Sequence, residues 1–180
     1  MLNGITFDAQ NVQSADDAKL FYRLLGKQNG VVTGCAVTAS GGNLTVAAGY
    51  MAVYGRMSKV TGSEVKAAPS STGTLYCRLV YEVDLSKVNT SSSFNQGTIK
   101  ILQSATGYPT LTQENLDEGG SVYQLPLAKF TATNGTVASL VDERSMVDNA
   151  GEFLTLGGTK YKLRVSSTDA GQQGFITFVI

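Results

Sequence analysis

The sequence predicts a mainly β protein with one N-terminal helix: an antiparallel β-sandwich or barrel-like domain followed by a short C-terminal β segment. Three observations predict it. From residue 31 onward apolar and polar residues alternate, the period of a half-buried strand. Turn signals rich in Gly, Asn and Ser recur about every ten residues. Charged residues make up only 16% of the chain, against roughly 25% in an average soluble protein, while glycines number 20 and prolines 3. Many small polar and β-branched residues with abundant Gly favour extended strands joined by tight turns.

The helix is predicted over residues 14–28. Ser14 supplies an N-cap, with Asp17 in the capping-box position and Asp16 and Asp17 at the positive end of the dipole. Ala18, Phe21, Tyr22 and Leu25 recur at helical spacing on one face, and Gly26 or Gly30 can end the helix. Strands are then expected at 31–38, 43–49, 50–56 and 57–66, with Ser40-Gly41-Gly42 as a turn and 69–73 as a loop. Residues 74–84 form the longest clean alternation: Leu75, Cys77, Leu79, Tyr81 and Val83 share one face, Arg78, Glu82 and Asp84 the other. The polar stretch 86–97 is expected to be a mobile loop, and 98–104 a strand. A loop from Tyr108-Pro109 to Gly119-Gly120 precedes strands at 122–133 and 136–144, joined by the hairpin dipeptide Asn134-Gly135. Residues 148–151 break the chain before strands at 159–167 and 174–180. The organisation expected is an arm and amphipathic helix (1–30), a β domain (31–148) and a C-terminal β segment (149–180).

Composition excludes several functions. Fourteen basic residues balance fourteen acidic ones, so the basic excess that phosphate backbones require is missing and no nucleic-acid partner is expected. The same balance removes the usual attraction to anionic lipid. No apolar run approaches the roughly 20 residues of a membrane helix, so no membrane insertion is expected. The start, MLNGITFDAQ, has neither the basic nor the apolar region of a signal peptide, which predicts synthesis in a cytoplasm. Cys35 and Cys77 sit in apolar strand-like runs and read as buried free thiols.

The chain contains no histidine, which rules out a Ser-His-Asp or Cys-His triad and the commonest metal ligand. No nucleotide-binding glycine loop is present. Ser63-Glu64-Val65-Lys66 matches S-x-x-K but lies among strands, where that nucleophile pattern does not operate. Glu114, Asp117, Glu118, Asp142 and Glu143 could in principle supply a glycosidase pair, yet they read as loop and turn residues. No catalytic residue, cofactor or metal is expected. The tyrosines number eight, and they suit binding surfaces. Tyr50, Tyr54 and Tyr108 are the candidate glycan contacts.

Two segments carry a family resemblance. Residues 29–60 pass from a helix into Gly30-Val31, then a strand, then Gly42, Leu44, Val46, Gly49, Val53 and Gly55, which follow the spacing "G..L.V..G...V.G" except that Gly42 stands one residue nearer to Leu44. Residues 107–144 place Pro109, Leu111 and Thr112 before a variable loop. Tyr123, Leu125, Pro126, Leu127 and Ala128 follow, and then Val137, Leu140, Asp142 and Arg144 in "I..L.D.R". Together these resemble a domain of tail and baseplate structural proteins from phages and prophages of Gram-positive bacteria. The central strand 77–84 departs from the family's "R.D.(I/V)V", and the chain stops at Ile180, where relatives often continue into a fibre or receptor-binding head. That favours an adaptor or baseplate role over direct host recognition.

The resemblance implies a virion structural protein assembled in a bacterial cytoplasm. It also implies a homo-oligomer, with a trimer favoured, in contact with other tail or baseplate proteins and supporting host attachment. The residues read as the interface are Phe21, Tyr22 and Leu25 on the helix and Phe175 and Phe178 on the apolar terminal strand, which needs either a partner sheet or a neighbouring chain. The alternative reading is a β module that binds host cell-wall saccharide.

Overall fold

The computed structural model describes residues 14–148, 153–156 and 159–162. It is mainly β, with antiparallel sheets, a single helix among the described residues and no closed barrel. Two layers enclose the core: a four-stranded sheet on one side and a bent three-stranded ribbon on the other.

Helix α1 (Ser14–Leu24) begins where the sequence placed its cap and ends sooner than expected. Gly26 takes a left-handed φ of 65°. Its N–H donates to Arg23 O and the Lys27 N–H to Tyr22 O, at 3.1 and 2.8 Å, a Schellman stop.

The ribbon is one long meander folded at a corner. β1 (Gly30–Gly34) pairs with β4 (Gly49–Val53), and β2 (Val37–Ser40) with β3 (Asn43–Val46). β5 (Arg56–Val60) and β6 (Glu64–Ala67) add a third strand to each half. The sequence suggested one strand over 31–38. The structure breaks it in two, because Gly34 and Cys35 both adopt positive φ (68° and 54°). Gly34 faces Gly49 across the bend, and a Cβ on Gly34 would stand 2.1 Å from Ala48 O. Only paired glycines let the backbones approach so closely. The stretch 50–66 is likewise interrupted by a two-residue turn, Tyr54-Gly55, with φ of 47° and 71°. Both signs fit a type I′ hairpin, the geometry that Asn134-Gly135 also adopts, at 49° and 75°.

The facing sheet runs in the order β10 (Thr136–Asp142), β9 (Val122–Thr133), β7 (Leu75–Asp84), β8 (Gly97–Ser104). Across it, Cys77 opposes Phe130, Leu79 opposes Ala128 and Ile101, and Tyr81 opposes Leu125 and Ile99. These side chains meet Val31, Leu44, Val46, Met51 and Val53 from the ribbon in one buried cluster. Both thiols lie in it, fully buried and free.

The opposite face of this sheet is polar, as the alternation predicts, but it is not left to solvent. Glu82 is 4% exposed. Its carboxylate lies 2.5 Å from Lys100 Nζ and accepts a bond from Gln124 Nε2 at 2.8 Å. Gln124 in turn accepts the Thr112 N–H at 2.9 Å, tying the 105–121 loop down over this face. Nearby, Arg78 stands 3.2 Å from Glu143 and donates to Pro109 O. A buried charge is tolerated only when paired in this way.

After β10 the chain crosses to the other layer. Val31 N–H donates to Ser145 O and Val147 N–H to Val31 O, at 2.7 and 2.8 Å, so residues 145–147 lie along the free edge of β1. The polar stretch 86–97 is a loop that runs into β8 at Gly97. Asn89 Oδ1 accepts the N–H groups of Asn95 and Gln96, and Gln96 Nε2 donates to Lys87 O, so the loop carries its own bonded scaffold. Further along the chain, β11 (Phe153–Leu156) pairs with β12 (Thr159–Lys162); the sequence reading missed the first of these and began the second correctly. The strand expected at 174–180 lies outside the described residues.

Candidate functional site

Helix α1 rests on the Tyr54-Gly55 turn. A Cβ on Gly55 would fall 1.8 Å from Ala18 O, so the helix backbone packs directly on this glycine. Ala18 is buried there, and the Tyr22 ring stacks on Tyr54, centroids 4.9 Å apart. Tyr54 in turn meets Tyr123 edge-on at 5.7 Å. Three elements (α1, the β4–β5 turn and the start of β9) are locked by aromatic contacts of a kind worth about 0.5–1.5 kcal/mol each.

The helix carries apolar residues on a second flank. Leu20, Phe21 and Leu24 are 52, 45 and 59% exposed. Of these, Phe21 lines a cleft of about 270 Å³, together with Met57, Val83, Leu85 and Phe94. Met57 and Phe94 are themselves exposed at its rim. Ser58 Oγ and the Tyr81 hydroxyl bond to each other at its floor.

The structure sorts the expected interface residues. Phe21 stays on the surface. Tyr22 stacks on Tyr54, and Tyr22 and Leu25 are half-buried. Leu20 and Leu24 were missed, because the sequence pattern was read as one apolar face. The spacing 20, 24 is itself helical, and it was the signal available. Phe175 and Phe178 lie outside the described residues.

The candidate glycan tyrosines do not converge. Tyr50 lies on β4 with Lys59 Nζ 5.4 Å from its ring centroid. Tyr108 packs edge-on against Tyr76 at 5.4 Å, with Lys129 Nζ 5.5 Å from its centroid. Tyr54 lines a groove beside α1 together with Tyr22.

The carboxylates considered as an acid pair take separate roles. Glu114 accepts the N–H groups of Ser121 and Val122 at 2.6 and 3.0 Å, which hold its carboxyl below the usual range. Asp142 is held low by its hydrogen bond from Arg144. Glu143 is shared by Arg78 and Lys129. Asp117 and Glu118 line the Tyr54 groove. Ser63 immediately precedes β6, in which Lys66 pairs with Glu64 at 2.8 Å. Among the described residues no three His, Cys, Asp or Glu side chains cluster as a metal site, and no helix is long and apolar enough to cross a membrane.

No protein-family model matches the chain, and no curated protein matches its sequence.

Proposed function

We propose that the protein is a non-enzymatic structural component of a phage tail or baseplate, which acts by docking to further copies of itself and to neighbouring tail proteins. The observation that carries this reading is the second apolar flank of α1. Among the described residues, the 11-residue helix is anchored through Ala18 and Tyr22, and Leu20, Phe21 and Leu24 stay exposed. Phe21 shares its cleft with Met57 and Phe94, which are also exposed, and exposed apolar side chains grouped in this way mark an interaction surface. The two tail-like sequence segments support the same reading, and they favour three copies.

The test is the double substitution Leu20→Glu with Leu24→Glu in the full chain. The variant is expected to lose the oligomer while keeping the far-ultraviolet circular dichroism of the β domain. An oligomer of unchanged mass would remove α1 from the interface.

The second reading, a saccharide-binding β module, is favoured by one observation: the groove in which Tyr54 and Tyr22 stand beside charged side chains of both signs.

A further inference from the structure

The groove between α1 and the 115–118 turn encloses about 320 Å³. Three kinds of group line it. Tyr22 and Tyr54 supply aromatic surface and phenol hydroxyls. Lys19, Arg23 and Lys27 line it from the helix and its C-terminal turn, and Asn115, Asp117 and Glu118 from the facing turn. The two acids stand near the phenols: burial pushes the Tyr22 and Tyr54 hydroxyls up, and Asp117 adds to both shifts. Among the described residues, none of the ion pairs uses any of these three cations or two acids. Charges that could neutralise one another across a groove stand apart in it.

We infer that this groove binds a single pyranose unit carrying one phosphate. The sugar ring lies on Tyr54, whose aromatic face suits the apolar face of a pyranose and whose hydroxyl adds a polar contact. Asn115, Asp117 and Glu118 take the sugar hydroxyls, for which a carboxylate is the stronger acceptor. Lys19, Arg23 and Lys27 take the phosphate. Three cations against two carboxylates leave one positive charge, which suits a single anionic group and disfavours a polyanion. The volume is at the low end for small-molecule pockets, roughly 300–1,000 Å³, and so suits one sugar unit rather than a long oligosaccharide. This inference deepens the saccharide-binding reading and rests on it. The groove occupies a different flank of α1 from Leu20 and Leu24, so it stands or falls apart from the assembly reading.

The experiment is calorimetric titration of the full chain with glucose 1-phosphate, galactose 1-phosphate and N-acetylglucosamine 1-phosphate, beside inorganic phosphate and the unphosphorylated sugars. At least one sugar phosphate is expected to saturate below about 10 mM and to bind about tenfold or more tighter than phosphate or its own sugar alone. Lys19→Glu with Lys27→Glu, both exposed positions, is expected to weaken that binding by about tenfold or more. No saturation by any of the three overturns the inference. So does phosphate binding as tightly as the sugar phosphate, which marks a bare anion site, or an unchanged affinity in the double variant, which places the ligand elsewhere. Light scattering on the same samples reads the oligomer separately.

Discussion

Arg144 makes two contacts of different kinds. Its Nε and Nη2 hold Asp142 at 2.9 and 2.6 Å, and its Nη1 donates to Gly34 O at 2.7 Å. The first contact fixes the side chain, and the second ties the end of the four-stranded sheet to the corner of the ribbon. The last two positions of the "I..L.D.R" spacing thus have a structural reason. Asp142 is largely exposed, so its ion pair adds little by itself. The charge-assisted bond to Gly34 O matters more, since such bonds are worth about 1.5–3 kcal/mol. Arg144→Ala is therefore expected to lower stability by about 1–3 kcal/mol in urea unfolding, and Asp142→Asn by clearly less. Equal losses would show that the ion pair, not the tie to the corner, is the stabilising contact.

Glu82 offers the contrasting case of a buried charge. Removing it as Glu82→Ala strands Gln124, while Lys100 remains partly exposed and can reach water. The expected cost is about 1–3 kcal/mol, and Glu82→Gln is expected to recover part of it. The dependence of stability on pH rests on three other carboxylates. Asp84, Glu114 and Asp142 are held low, chiefly by bonds from Ser86, Ser121 and Arg144 in turn. A carboxyl that titrates lower when folded contributes stability above its unfolded value and loses it as pH falls through the folded one. The chain has no histidine, and burial pushes both thiols up. Urea midpoints should thus be flat from about pH 5.5 to 8 and drop below about pH 4. A slope near neutrality would contradict this accounting.

Among the elements, the coupling of α1 to the β4–β5 turn is the most exposed to test. Gly55→Ala must place a methyl against the helix backbone and hold alanine at positive φ, which alone costs about 1–2 kcal/mol. Amide exchange in α1 is expected to accelerate far more than exchange in β7 and β9. Equal acceleration would mean that the helix is not a separate docked unit.

Legibility also varied by element. The long strands were plain because burial on one face imposes strict alternation, as in Leu75 to Val83. Asn134-Gly135 was plain because both residues tolerate positive φ. Tyr54-Gly55 adopts the same turn but was hidden, since tyrosine is chosen there for its ring contacts with Tyr22 and Tyr123 rather than for its backbone. The bend at Gly34-Cys35 was hidden for a similar reason: a buried cysteine at positive φ carries no local signal. The candidate surface was half legible. Phe21 was identified and remains exposed, whereas Leu20 and Leu24 became meaningful only once the position of the helix showed which flank was already occupied.

At the scale of the whole molecule, the two-layer β domain satisfies its own core and leaves an apolar patch on its one described helix. The proposed role depends on that patch being covered in solution by another copy of the chain. Multi-angle light scattering on the full-length protein at micromolar concentration reads this directly. The expected mass is about three times the 19.0 kDa of one chain, stable on moderate dilution. A clean 19.0 kDa species across the same concentrations would contradict it.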